Sequence, residues 1–169
     1  MSTLEFGLKS FFRPRIYAIA RDGAPAGEIE CARMWERATI TIGGTSCSAA
    51  REARMSGAFY LEANGVRLAN AEKSSAMHRL FTMQVGGRTL VLKAASTFGR
   101  TFVLTERETQ IGSIAPLGWF TRKCRAELPD DLAPEVQAFL IWLFIILLRR
   151  QQQAAMGAEI GAIAATGSR

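Results

Sequence analysis

Apolar and polar residues alternate with period two along most of the first 130 positions of the chain, and then the alternation stops. Successive side chains of a strand point to opposite faces, so each alternating stretch predicts a strand with one buried face and one solvated face. Leu4-Glu5-Phe6-Gly7-Leu8-Lys9 is the first such stretch. Phe11-Phe12-Arg13-Pro14 breaks it before a hairpin whose arms, 15–20 and 27–31, are joined by turns at Asp22-Gly23 and Ala24-Pro25. Asp-Gly accepts the positive φ that a tight hairpin turn demands, which makes it a strong turn signal between alternating arms. The pattern recurs: 38–42 meets Gly43-Gly44 and returns over 45–50, 59–63 turns at Asn64-Gly65 into 66–71, and 79–85 turns at Gly86-Gly87 into 89–93. Residues 101–105 lead through the polar turn Glu106-Arg107-Glu108 to 110–114, and Pro116-Leu117-Gly118-Trp119 precedes a last strand over 120–128. Within 38–42 the alternation assigns Ala38, Ile40 and Ile42 to the core and Thr39 and Thr41 to the outside. About twelve strands at a spacing of ~8–12 residues is the rhythm of an all-β sandwich or barrel.

The stretch that follows is of another kind. Residues 138–148 are eleven apolar residues in a row, closed by Arg149-Arg150. Pro134 suits a first helical turn, where its missing N–H would have no partner, while Asp130, Asp131 and Glu135 suit the positive end of a helix dipole and Arg149 and Arg150 the negative end. These signals predict a helix over about 132–150. It is shorter in apolar length than the ~18–20 residues a bilayer span needs. A helix apolar on all sides must be enclosed on all sides. Phe139, Leu140, Trp142, Leu143, Phe144, Ile146 and Leu147 are therefore expected to be core side chains, and a carboxylate at Ile145 is expected to be ruinous. After Arg150, Gln151-Gln152-Gln153 continues the helix by propensity, whereas 154–168 holds mostly small residues and predicts a frayed or flexible tail over 151–169. Its Gly157-x-x-x-Gly161 spacing leaves open a packing role against a partner or lipid.

Many short antiparallel strands followed by one fully apolar helix have few joint solutions. A closed sheet removes its own edges, and about twelve strands enclose more room than their own side chains fill. The sequence thus predicts a closed antiparallel barrel of about twelve strands, mainly β, wound round a central C-terminal hydrophobic helix, as one domain over 1–150.

Composition narrows the function more than the fold. With 169 residues, 49% hydrophobic and 21% charged, the chain suits one ordinary globular domain. The opening residues carry no basic and apolar leader, so the expected compartment is the cytoplasm. Cys31, Cys47 and Cys124 are widely spaced and read as buried thiols in a reducing compartment. His78 is the only histidine, and Met77-His78-Arg79 offers it no neighbouring metal ligand. Gly43-Gly44 and Gly86-Gly87 open no helix and so form no phosphate cradle. Asp130 and Asp131 read as helix-start residues, not as an acid and base pair. The expectation is a non-enzymatic protein with no cofactor, no metal and a monomeric state.

Net charge is +6, carried almost wholly by arginine. Such a balance favours anionic partners. Basic residues gather at Lys9, Arg13 and Arg15, at Arg33 and Arg37 around Trp35, at Arg51 and Arg54, and at Arg122, Lys123 and Arg125, where alternation sets Lys123 and Arg125 on one face and Arg122 with Cys124 on the other.

Tyr17-Ala18-Ile19-Ala20-Arg21-Asp22-Gly23, Gly99-Arg100-Thr101-Phe102-Val103-Leu104 followed by Ile111-Gly112-Ser113-Ile114, Gly118-Trp119-Phe120, and Leu128-Pro129 before the apolar helix follow one another in a particular order. In that order the chain from about 15 to 150, about four fifths of its length, resembles the LURP-one-related, tubby C-terminal-like superfamily, which includes the phospholipid scramblases, and especially its small bacterial members. The resemblance implies a twelve-stranded barrel round a central helix, and contact with anionic phospholipid such as phosphoinositide head groups through basic surface residues. Arg13, Arg15, Lys123 and Arg125 are the candidate head-group residues, and the expected location is cytoplasmic, peripheral at the inner face of the membrane. One alternative is a soluble regulatory or interaction domain meeting protein or nucleic acid, although no base-reading helix or stacking motif supports nucleic acid. A further alternative is a scramblase-like membrane-associated protein, since in scramblases the equivalent helix has also been read as an anchor. The acidic calcium segment of scramblases has no counterpart here.

Overall fold

Four of the turns foreseen from paired residues, Asp22-Gly23, Gly43-Gly44, Asn64-Gly65 and Gly86-Gly87, have positive φ at both positions. They all close the same end of a barrel. The computed structural model describes residues 1–10, 14–32, 36–53, 56–73, 79–96, 99–118 and 123–166, with backbone alone for 155–166. Its strands are β1 (Ser2–Ser10), β2 (Arg15–Arg21), β3 (Ala24–Cys31), β4 (Arg37–Ile42), β5 (Thr45–Arg51), β6 (Ala58–Ala63), β7 (Val66–Glu72), β8 (Leu80–Val85), β9 (Arg88–Ala94), β10 (Phe102–Glu106), β11 (Thr109–Pro116) and β12 (Lys123–Leu128), and one helix follows, α1 (Pro134–Thr166).

Every strand pairs antiparallel with its neighbours in sequence, and β1 pairs with β12 to close the circle of twelve. Leu4 lies opposite Ala126 and Phe6 opposite Cys124 at that seam. Antiparallel neighbours need only short connections, so the chain winds as a plain meander. In β4 the burial alternates as the sequence predicts, with Ala38, Ile40 and Ile42 inside and Thr39 and Thr41 outside. Ser46, Ser48, Lys123 and Arg125 likewise face outward. A barrel that crosses a membrane shows the reverse, with apolar residues outside and polar residues inside. At Gly112 a Cβ would lie 2.6 Å from the Glu127 carbonyl oxygen, so only glycine permits this approach of β11 to β12.

Because the strands alternate in direction, the two ends of the barrel differ. The closed end has five two-residue turns, of which the fifth, Arg107-Glu108, takes φ of 46° and 69° without a glycine. Beside it Arg88 donates from Nε and Nη2 to both oxygens of Glu106, at 2.8 and 2.9 Å, and from Nη1 to Asp131 at 2.8 Å. The open end carries the longer connections, of four to seven residues between consecutive strands.

Helix α1 enters at the closed end. The backbone N–H groups of Val136 and Gln137 donate to the Ala133 carbonyl, and Asp131 and Glu135 lie near its first turn. Gln137 is fully buried and fully used, accepting from Arg21 Nη2 at 2.7 Å and donating to the Pro129 carbonyl at 2.8 Å. Beyond it the apolar run passes along the axis. Residues 138–147 are each no more than 4% exposed, a group that includes the expected Phe139, Leu140, Trp142, Leu143, Phe144, Ile146 and Leu147. Rings from the wall meet those of the helix edge-on, Phe6 and Phe102 at 5.8 and 5.3 Å from Phe144 and Phe59 at 5.8 Å from Trp142. Offset and edge-to-face contacts of this kind are favoured by the ring quadrupole.

The helix is longer than the expected 132–150. It starts at Pro134 and continues to Thr166, past the open end of the barrel. No proline interrupts 151–166, and glutamine, alanine and methionine there favour helix enough to carry it through Gly157 and Gly161. Arg149 and Arg150 are consequently mid-helix residues, not partners of the dipole's negative end. Among the described residues no helix is long and apolar enough to cross a membrane.

Candidate functional site

Where α1 leaves the barrel, the wall of β1, β2 and β12 stands away from it. A cavity of about 300 Å³ lies between them, lined by Phe6, Leu8, Arg15, Tyr17, Arg100, Cys124, Phe144, Ile145, Leu148, Arg149 and Gln152. The periodicities of helix and strand explain this set. Ile145, Leu148, Arg149 and Gln152 recur at the three- and four-residue spacing of one helix face. Arg15, Tyr17 and Ile19 share the inward face of β2, so Arg15 is the last inward position before the rim. Phe6, Phe144, Ile145 and Cys124 are buried and form the floor, while Arg15, Arg100 and Gln152 are exposed at the mouth and Arg149 is half-buried.

The mouth is electropositive. Burial pushes the Tyr17 phenol above its ordinary range and the Cys31 thiol up to about 11, and the positive charges of Arg149 and Arg15 partly oppose both shifts. Burial also raises the Cys124 thiol to about 11, against the opposing charge of Arg100. Arg15 and Arg149 thus sit on the β2 and β3 side of the opening and Arg100 on the β12 side. Among the described residues none of the three meets a carboxylate. Cys31 and Cys124 are buried free thiols, and burial favours their neutral form.

Across the helix the arrangement is the opposite. Arg150 donates from Nε and Nη2 to both oxygens of Glu36, at 2.9 and 2.9 Å, and Arg51 Nη1 lies 3.3 Å from the same carboxylate. The guanidinium groups of Arg51 and Arg150 lie 5.8 and 5.7 Å from the Phe59 ring centre. Arg79 Nη2 donates to Gln151 at 2.7 Å. This side ties the emerging helix to the wall; the cavity side leaves its cations facing water.

Of the four residues proposed from sequence, Arg15 lies at the mouth. Lys123 and Arg125 project from the outer face of β12, and Arg125 is tied to Glu5 at 2.8 Å. Arg13 lies outside the described residues, as do Arg33, Trp35, Arg54, His78 and Arg122. Sequence reading missed Arg100, which it named only within the segment Gly99-Arg100-Thr101-Phe102-Val103-Leu104, and Arg149, which it gave to the helix dipole. No polar stripe on the apolar run marked which of Arg149 and Arg150 would reach the cavity. Among the described residues no group of three His, Cys, Asp or Glu side chains is arranged to hold a metal ion. Compared with known protein families, characterised proteins and solved structures, the chain finds no match.

Proposed function

We propose that this chain is a non-enzymatic binding module that contacts anionic phospholipid through the basic open rim of its barrel. One observation carries the reading: Arg15, Arg100 and Arg149 converge on the rim with no carboxylate among the described residues, whereas Arg51, Arg88, Arg125 and Arg150 are all neutralised by glutamate. Cations gathered at one end and facing solvent attract a negatively charged surface, and that end is also where the helix projects. The resemblance to tubby-like domains, proposed on the order of elements, points to the same ligand class.

Flotation with vesicles tests it. The full chain floats with phosphatidylglycerol- or phosphatidylserine-containing vesicles at physiological salt and stays at the bottom with pure phosphatidylcholine. At about 1 kcal/mol for each cation at an anionic surface, replacing Arg15, Arg100 and Arg149 together by glutamine weakens the partition by about 100-fold, while Arg125→Gln changes it little. Equal flotation of the triple variant would remove the rim from the reading. Retention on polyanionic nucleic acid instead of vesicles would turn the assignment to the interaction-domain alternative.

A further inference from the structure

The cavity behind the rim has a floor as well as a mouth, and the two differ in chemistry. Phe6, Phe144, Ile145 and Cys124 make an apolar bottom, and Arg15, Arg100 and Arg149 stand round the opening. A flat anionic surface uses only the cations, leaving the apolar depth unexplained. We propose that the cavity between α1 and the wall of β1, β2 and β12 binds one alkyl chain of a single-chain anionic amphiphile, with its carboxylate or phosphate head held by Arg15, Arg100 and Arg149.

Charge complementarity selects an anionic head, since three cations without carboxylate partners among the described residues would be left facing one another by a neutral or cationic one. Guanidinium groups present planar, paired donors that match carboxylate and phosphate oxygens. Volume selects one chain. About 300 Å³ is the lower end of the size range of small-molecule sites, room for a single extended tail and not for the paired tails of a membrane phospholipid. Tyr17 adds a neutral hydrogen-bonding group between floor and mouth, and Gln152 another at the mouth. The inference rests on the anionic-lipid reading only for the sign of the head group.

Calorimetry of the full chain with monomeric dodecanoate and dodecyl phosphate, below their micelle concentrations, provides the test. One molecule per chain binds, whichever head is preferred, and dodecyltrimethylammonium does not. Arg149→Gln lowers affinity about tenfold, and Leu8→Trp, which fills the mouth from a half-buried rim position, removes binding while flotation with anionic vesicles persists. Methyl spectra of the unsubstituted chain make the test independent of any variant. Dodecanoate shifts the methyl signals of Leu8, Ile145 and Leu148 and leaves Val66, exposed at the closed end, in place. Undiminished binding by Leu8→Trp, equal binding of the cationic detergent, or shifts spread evenly over the chain would each overturn the cavity site. Flotation without amphiphile binding overturns this inference and leaves the rim reading standing; amphiphile binding without flotation does the reverse.

Discussion

The closed end of the barrel has two-residue turns and an Arg88 that joins Glu106 to Asp131 near the start of the helix; the open end has longer connections, three arginines without a carboxylate among the described residues and a helix that keeps going. At the closed end charged and amide groups are tied to one another: Arg88 serves Glu106 and Asp131 together, and Gln137 joins Arg21 to the Pro129 carbonyl, although the buried Nε of Arg21 has no partner among the described residues. At the open end the same kind of residue is split between two duties. Arg150 is tied to Glu36, while its neighbour Arg149 faces the cavity with no carboxylate among the described residues. The difference separates what holds the fold from what is left over to meet another molecule.

The severest way to break both ends at once is to charge the axis they share. Leu140→Asp buries a carboxylate at a fully enclosed site in the middle of the apolar run, and should cost more than about 4 kcal/mol, read as loss of a cooperative melt or of expression. Ile145, the position that sequence suggests, is a poorer test, because it lies one helical turn before Arg149 and beside the cavity, where a new carboxylate has a partner.

A milder perturbation separates the ends. Burial raises the thiols of Cys31 and Cys124, both in the open half, from 9.0 to about 11, so the folded chain keeps protons that the unfolded chain releases. Stability is therefore intact below pH 9 and falls as pH climbs toward 11, by about 2–3 kcal/mol for each thiol. Hydrogen exchange should show the rim loosening before the turns of the closed end, and the Cys31→Ala/Cys124→Ala double variant should lose that part of the pH dependence.

Cutting the tie between helix and wall sharpens the contrast further. Glu36→Ala leaves Arg150 and Arg51 without their shared carboxylate in a half-buried place and should cost about 1–2 kcal/mol, with increased exchange from the part of α1 near Arg150. The smallest effect has the opposite sign. Replacing Arg107-Glu108 by Asn-Gly relieves two positive-φ positions in the closed end and should raise stability by about 1 kcal/mol in a thermal melt.

The barrel was legible because its information is local. Whether Ile40 points in and Thr41 out depends on parity alone, and whether the chain reverses at Gly43-Gly44 depends on two adjacent residues. The plug was legible for a related reason: a run with no polar face has only one kind of environment to occupy. The site was not legible, and the same run explains why. A helix apolar all round carries no stripe to say how it is rotated within its container. Arg149 and Arg150 are adjacent and chemically equal, and about 100° of rotation decides which of them reaches Glu36 and which the cavity. That angle is set by ring contacts such as Phe6 and Phe102 on Phe144, which join residues more than a hundred positions or some forty positions apart. Arg100 escaped for a different reason, since its relation to the site comes only from where β10 begins on the closed circle. Lys123 and Arg125 were placed on a common face correctly, and that face is the outward one, as expected of residues on the barrel surface.

The meander has a consequence for how this protein is made. Each strand can pair with the one synthesised just before it, yet β1 keeps a free edge until β12 arrives, and the chain that fills the middle is translated later still. A nascent chain therefore passes through an open, unfilled sheet with its inward apolar face bare, the kind of species that associates with its own copies. The seam of β1 with β12 and the filling of the barrel by α1 both depend on the last part of the chain, so a product truncated before 148 is expected to lack its core and to be exposed to chaperones and proteases.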